Sequence, residues 1–175
     1  LVQYFANLAA VVLSNVTNRD KFNQQFRQYL TLVENIPGIV YRFATQAPFP
    51  TIFINSEASI ITGYDMQDFS LGAIHWMDII HPDDLPEVKS KIYGTIDSQM
   101  NYEMVYRIIR KDGSIRWLHD KGRFVDGDNY CSACLDGVII DVTQLHEIQK
   151  KFEIAEQRYQ SFFENTGTAM AAFGN

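Results

Sequence analysis

The sequence predicts an α+β domain: a five-stranded antiparallel sheet with a helical segment on one face, bracketed by two amphipathic helices. Three observations carry this. Tyr102, Met104, Tyr106 and Ile108 alternate with Glu103, Val105, Arg107 and Ile109 up to Lys111-Asp112-Gly113, and Ile115-Arg116-Trp117-Leu118 alternates beyond it. Period two on both sides of an Asp-Gly is a strong hairpin signal. Asp126-Gly127-Asp128-Asn129 supplies a second hairpin turn, and consecutive hairpins make an antiparallel sheet. Apolar residues spaced by three and four appear before the first strand and after the last, which is the helical period.

The elements follow in order. Val2, Phe5, Ala9, Val12 and Val16 share one helical face, and the polar stretch 14–20 breaks that helix or forms its wet part. Phe22, Phe26, Tyr29, Val33 and Ile36 then recur at four, three, four and three. This is the seam of a coiled coil or of a packed amphipathic helix, and Pro37-Gly38 stops it. Residues 39–45 alternate as a first strand, Pro48 and Pro50 punctuate the loop, and 51–55 form a second strand. Short helices follow at 57–62, ended by Gly63, and at 66–69. His81-Pro82-Asp83-Asp84 opens a longer helix over 85–97. Asp84 and Glu87 have the spacing of a capping box, and Pro86 sits in the first turn, where its missing N–H costs nothing. Gly94 weakens the end of this helix. Strands at 101–110, 114–126 and 129–142 complete the sheet, whose other side the helical segment covers. Beyond Thr143, Leu145, Ile148, Phe152, Ala155, Tyr159 and Phe162 form a second seam. An isolated helix of this length is marginal, so its stripe needs a partner; a homodimer held by the two seams is the expectation, with packing on the outer face of their own sheet, for the N-terminal stripe above all, as the alternative.

Composition bounds the function. Of 175 residues, 46% are hydrophobic and 13% aromatic, enough for a packed core. A net charge of −6 with no Lys/Arg run argues against nucleic acid and against direct membrane contact. The opening LVQYFANLAAVVL is apolar for too few residues to span a bilayer, which takes about 20, and it lacks a basic leader. The chain reads as a segment of a longer protein. Two cysteines make no disulfide framework, and a reducing, cytoplasmic setting is expected.

Several constellations invite a chemical reading. Cys131 and Cys134 spell C-x-x-C, but on a strand over 129–142 they would lie about 10 Å apart and face opposite sides, too far to join; they read as two ordinary strand cysteines. His81, Asp83 and Asp84 resemble a metal cluster, but a turn leading into a helix explains the spacing, and metal is disfavoured. His75, His119 and His146 stand alone, and His146-Glu147 lies too close to the sheet to head a transmitter helix. The sequence contains no phosphate loop, nucleophile elbow, kinase signature or cyclase signature, so no catalytic residue is assigned. Tyr41, Phe43, Phe53, Tyr64, Trp76, Met104 and Tyr106 would line either a small-molecule pocket or a filled core between sheet and helices. The two look alike in sequence, because pockets are themselves mostly apolar.

The ordered blocks Trp76 with Ile79-Ile80-His81-Pro82-Asp83-Asp84, then YRIIRKDGSIRW over 106–117, then GVIIDVT over 137–143, resemble the PAS sensory domain in the subtype that ends in a PAC motif. The resemblance runs from Glu34 to Thr143. It implies strand order 2-1-5-4-3, a structural role for the HPDD block, and signal exit at Asp141-Val142-Thr143, with Asp141 accepting hydrogen bonds at the strand end and Thr143 capping the outgoing helix. Haem-binding members carry a ligand histidine on the long helix, where this chain has none. Flavin photosensors need a cysteine just before that helix, and it too is absent, so a flavin–thiol adduct is disfavoured with haem. A small-molecule metabolite stays open. A shift of 130 residues lays Tyr29, Glu34, Asn35 and Phe43 on Tyr159, Glu164, Asn165 and Phe173, as if a second PAS-like domain began there. The first residues resemble the last helix of a GAF domain. The expected organisation is a linker helix at 1–20, a flanking helix at 21–36, the PAS domain at 37–143, a signalling helix at 144–164 and the start of a following PAS-like domain at 165–175. The expected role is a non-enzymatic cytoplasmic sensor and dimerisation module in a two-component or similar signalling protein. Its neighbours would be further sensor domains and an output domain, a histidine kinase first and a nucleotide cyclase next. The alternative is a ligand-free scaffold that spaces its neighbours.

Overall fold

The computed structural model describes residues 24–25, 27–28, 31–127 and 132–172, with side chains to residue 160 of the last helix. Five strands, β1 (Ile39–Ala44), β2 (Thr51–Ile54), β3 (Asn101–Ile109), β4 (Ile115–Asp126) and β5 (Ala133–Asp141), form one sheet in the order β2-β1-β5-β4-β3. All neighbours are antiparallel. This is the fold class and strand order the sequence leads one to expect. The β3–β4 hairpin turns at Gly113, whose φ of 82° is in the left-handed region that glycine enters without steric cost. Between β2 and β3 lie α1 (Glu57–Thr62), α2 (Met66–Ser70), a 3₁₀ turn (Trp76–Asp78) and α3 (Leu85–Ser98). The final helix, α4, runs unbroken over Thr143–Ala172, beyond the expected end at 164.

Alternation assigns the two faces of the sheet. Ile39, Tyr41, Phe43, Ile54, Tyr102, Tyr106, Ile108, Leu118, Leu135 and Ile139 point at the helical layer and are buried there with Ala58, Phe69, Trp76, Val88 and Ile92. The opposite face is open. On it Arg42 holds Asp136 at 2.7 Å through both Nε and Nη2, and Glu103 meets His119 at 2.7 Å and Lys121 at 3.0 Å.

Asn55 ties the chain before β1 to the sheet. Its Oδ1 accepts from Val40 N–H at 3.0 Å, and its Nδ2 donates to the Gly38 carbonyl at 3.0 Å and to the Val33 carbonyl at 3.4 Å. Val33 is only 6% exposed. The sequence leaves Val33 either in an intermolecular seam or packed on its own domain, and here it is buried within its own chain. Its seam companions Phe22, Phe26 and Tyr29 lie outside the described residues.

Three local expectations are corrected. Asp84 precedes α3 but caps nothing. Its carboxylate is taken by Arg107, which donates backbone N–H at 2.8 Å and Nε at 2.9 Å to Oδ2. A guanidinium with several donors outcompetes one helix N–H, and it holds the Asp84 carboxyl below its usual range. Thr143 does not cap α4 either: its Oγ1 accepts from Trp117 N–H at 2.9 Å, back on β4. Finally, Cys134 is disulfide-bonded. The expectation of unlinked thiols assumed an extended strand from 129, whereas β5 begins at Ala133 and Ser132 sits in a bend, so extended-strand spacing does not apply. Cys131 lies outside the described residues.

Replacing Asn55 with Ala strands the Val40 N–H and the Gly38 carbonyl in a buried position. Urea denaturation of N55A is expected to show a loss of about 1–3 kcal/mol, with an unchanged m-value.

Candidate functional site

One row of residues crosses four strands. Tyr41 on β1 pairs with Gly137 on β5, Gly137 with Gly122 on β4, and Gly122 with Tyr102 on β3. The two glycines leave floor space, and the two tyrosine rings lie inward over them. A Cβ on Gly137 would stand 2.5 Å from Tyr41 Cζ and 2.7 Å from the Lys121 carbonyl, and one on Gly122 would stand 2.5 Å from Tyr102 Cε1. Real side chains do not reach such separations without overpacking strain. The Tyr41 and Tyr102 hydroxyls meet above the middle of the sheet in a short hydrogen bond.

Asp120 stands two residues before Gly122 on the same face of β4 and is 3% exposed. Tyr41 donates to its Oδ1 at 2.8 Å, Tyr106 donates to its Oδ2 at 3.1 Å, and Tyr102 lies 3.5 Å from Oδ2. Trp76 Nε1 donates to the Tyr106 hydroxyl at 2.9 Å, which ties the helical layer into the cluster. Among the described residues, three hydroxyls and no cation surround the carboxyl. Burial pushes it up to about 7, and the hydroxyl hydrogen bonds from Tyr41, Tyr106 and Tyr102 only partly offset this. Tyr41 and Tyr106 are raised well above the ordinary tyrosine range, first by burial and then by the nearby carboxylate.

Of the residues selected from sequence as pocket candidates, Phe43, Trp76, Met104 and Tyr106 border one void beside Asp120, together with Phe49, Tyr102 and Leu135. Tyr41 stacks on Phe43 at 4.5 Å and reaches the same carboxyl. Tyr64 does not line the void; it is partly buried against the core, edge-on to Phe69 at 6.2 Å with Lys111 Nζ 5.7 Å from its ring. Phe53 is not among them: it pairs with Arg42 and faces the open side of the sheet. Asp120, Tyr102 and Phe49 were not selected from sequence. The signal for Asp120 was its parity with Leu118, an acid at a core-facing position of β4. The void measures about 20 Å³, enough for one water and far below the ~300 Å³ at which small-molecule pockets begin. The larger concavity, about 1280 Å³, lies on the other side of the sheet beside Arg42, Lys121, Arg123 and Asp136.

The start of α4 forms a second cluster. Asp141 Oδ1 accepts from Thr143 N–H at 2.9 Å, and Arg116 Nη1 approaches Asp141 at 3.5 Å. Trp117 is bonded through both backbone groups: its carbonyl accepts from Val142 N–H at 2.9 Å, and its N–H donates to Thr143 Oγ1. Its ring stacks on His146 at 4.0 Å and carries the Arg107 guanidinium at 5.5 Å. Arg107 is the residue that holds Asp83 and Asp84. Among the described residues no group of three His, Cys, Asp or Glu is placed to hold a metal, and no helix is long and apolar enough to cross a membrane.

Comparison with known proteins places this geometry. Residues 51–139, just over half of the chain, match the family described as PAS fold. A methyl sulfide methyltransferase-associated sensor of Methanosarcina acetivorans is 28% identical over 113 residues, 64% of this chain; the match spans 11% of that protein. Among solved structures, the chain resembles a sensory box histidine kinase/response regulator from Burkholderia thailandensis (16% identity, TM-score 0.59, 77% of this chain and 98% of that one). It also resembles the N-terminal domain of a diguanylate cyclase with PAS/PAC sensor from Marinobacter aquaeolei (21% identity, TM-score 0.54, 62% and 98%). At these identities the structural likeness establishes the fold alone.

The cluster predicts a pH dependence. The Asp120 carboxyl titrates near 7 in the fold and near 3.9 in the unfolded chain. Between those values the folded state binds the extra proton, so stability is fully present below about pH 4 and is lost as pH rises through about 7. Thermal unfolding of the wild type is therefore expected to weaken from pH 5 to pH 7.5 by on the order of a few kcal/mol. Asp120→Asn should flatten that slope; an equally steep slope in D120N would assign the dependence to other groups.

Proposed function

The chain belongs to the PAS-fold family, and from that premise we propose that it is a sensor and dimerisation module of a multidomain signalling protein, relaying a cue through its flanking helices to an output domain. The observation that carries the proposal is the anchorage of α4. Its first turn is bonded to the sheet through Asp141, Thr143 and both backbone groups of Trp117, while the stripe beyond it is exposed: Leu145 at 65%, Ile148 at 64% and Phe152 at 70%. A helix seated at one end and carrying an apolar stripe is suited to pass a displacement of the sheet to a second copy of itself.

The output domain proposed is a histidine kinase, with a nucleotide cyclase next. The sensor name of the Methanosarcina relative and the kinase and cyclase names of the two structural neighbours support this. The setting proposed is cytoplasmic, and the module itself is proposed to be non-catalytic. Mechanistically, the cue would bind or stabilise one of two arrangements of sheet and helix more than the other, and the output follows the population. A linker helix at 1–20, as the end of a GAF-like domain, and the start of a following PAS-like domain at 165–175 complete the proposed organisation.

A second reading is favoured by the near-filled core. With room for about one water beside Asp120, the domain would serve as a scaffold that dimerises and spaces its neighbours. Native mass and absorption spectra of the purified protein separate the two: a retained small molecule supports sensing, and an empty protein supports the scaffold.

Two outcomes are expected. Light scattering of the 175-residue chain should give a dimer mass that falls to monomer when Leu145, Ile148 and Phe152 are replaced with Glu. A monomeric wild type at high concentration removes the dimer from the proposal. Asp141→Ala should remove about 1–2 kcal/mol of local bonding and speed hydrogen exchange over 141–160, uncoupling cue from output in the full-length protein with ligand affinity near normal. Unchanged exchange and unchanged regulation would place signal exit elsewhere, first at the helix preceding β1.

A further inference from the structure

The hydrogen-bond inventory around Asp120 has one vacancy, and it lies at a single contact. The cluster holds four short contacts: Trp76 Nε1 to Tyr106, Tyr106 to Asp120 Oδ2, Tyr41 to Asp120 Oδ1, and Tyr41 to Tyr102. With the carboxylate ionised there are four hydrogens, one each from Trp76, Tyr106, Tyr41 and Tyr102. They fill these contacts one to one, and Tyr102 must donate to Tyr41 because the Tyr41 hydrogen goes to Asp120. The fifth contact, Tyr102 to Asp120 Oδ2 at 3.5 Å, is left empty and long.

We propose that Asp120, Tyr41 and Tyr102 form a proton-operated clasp, in which uptake of one solvent proton by the carboxylate closes the Tyr102–Asp120 contact and its release opens it. A fifth hydrogen on the carboxyl cannot go to Tyr106, whose own hydrogen would then have no acceptor, since Trp76 only donates. Among the described side chains, the arrangement that houses it is a three-membered ring of donors, Asp120, Tyr41 and Tyr102. Whichever way that ring runs, it includes a hydrogen between Tyr102 and Oδ2. The contact must then shorten from 3.5 Å towards the ~2.7 Å usual for O–H···O. Tyr102 is the second residue of β3, just past the end of α3, so the clasp acts where sheet and helical layer join.

Among the described residues no other charge competes. The titratable groups facing Asp120 are Tyr41 from β1 and Tyr102 and Tyr106 from β3; β5 offers Ile139 and Gly137, and the helical layer offers Trp76, Met77, Val88 and Ile92. With the carboxyl at about 7, both states are populated near neutral pH. The inference stands on the cluster's geometry and holds whether the domain senses or only spaces its neighbours.

The test is the Asp120 side-chain carboxyl ¹³C resonance, assigned through its bonds to the backbone and followed from pH 5 to pH 9 in the whole chain, in the wild type, Tyr102→Phe and Tyr106→Phe. The wild-type resonance should titrate near neutrality. Y106F removes a donor that both forms keep but that is charge-assisted, and so stronger, in the ionised form, and should raise the midpoint. Y102F removes one contact from the ionised form but two from the protonated form, and should lower the midpoint, each shift being on the order of one pH unit. If Tyr102 merely solvated the carboxylate, both variants would shift it upward. An upward or absent shift in Y102F, or a wild-type carboxyl that does not titrate between pH 5 and pH 9, overturns the clasp.

Discussion

The domain is organised around a carboxyl group buried without a cation. Taking Asp120 out of water is costly unless donors replace the solvent, and in this fold the donors are hydroxyls carried on rings. Tyr41 and Tyr102 reach the carboxyl from opposite sides only because Gly137 and Gly122 leave the middle of the sheet flat beneath them. The same rings, with Phe43, Trp76 and Tyr106, then occupy the space where a ligand would lie, and a void of about 20 Å³ remains. One polar group thus accounts for the two glycines, the aromatic content of the core and the absence of a roomy interior beside it.

A different set of contacts, on the open side and at the sheet's end, gives the domain its connection outward. Arg107 binds the acidic turn before α3, lies over Trp117, and Trp117 in turn holds the first turn of α4 by backbone and by ring. Arg107 and Tyr106 are adjacent on β3 and point to opposite faces. The strand that carries the carboxyl's partner therefore also carries the link to the helix, so a shift of β3 reaches both through backbone alone.

Much of this was legible in the sequence, and what was not has physical reasons. The β3–β4 hairpin and α1 could be placed because alternation and glycine punctuation are local signals. The HPDD turn precedes α3 as the sequence leads one to expect, but its bonding is not local: Asp84 has the spacing of a cap, and its stronger partner, Arg107, is 23 residues away. Phe53 was set in the core because a four-residue strand alternates equally well in either register; pairing of Ile54 with Tyr41 turns Phe53 outward. Asp120 was passed over because an acid between His119 and Lys121 reads as solvated, and only its parity with Leu118 marks it as buried. The spacing of Val33 suits an intermolecular seam and an intrachain packing face alike, and it is Asn55, a single polar residue after β2, that draws the chain beside it into the domain.

The central claim is that the protonation of Asp120 decides whether a hydrogen lies between Tyr102 and Asp120. Neutron diffraction from deuterium-exchanged crystals at pH 5.5 and pH 8.5 tests it directly. At pH 8.5 the nuclear density should show Tyr102 donating to Tyr41, with none between Tyr102 and Asp120; at pH 5.5 a deuterium should lie between Tyr102 Oη and Asp120 Oδ2, with the two oxygens drawn together. Identical hydroxyl directions and an unchanged Tyr102–Asp120 separation at the two pH values would contradict it.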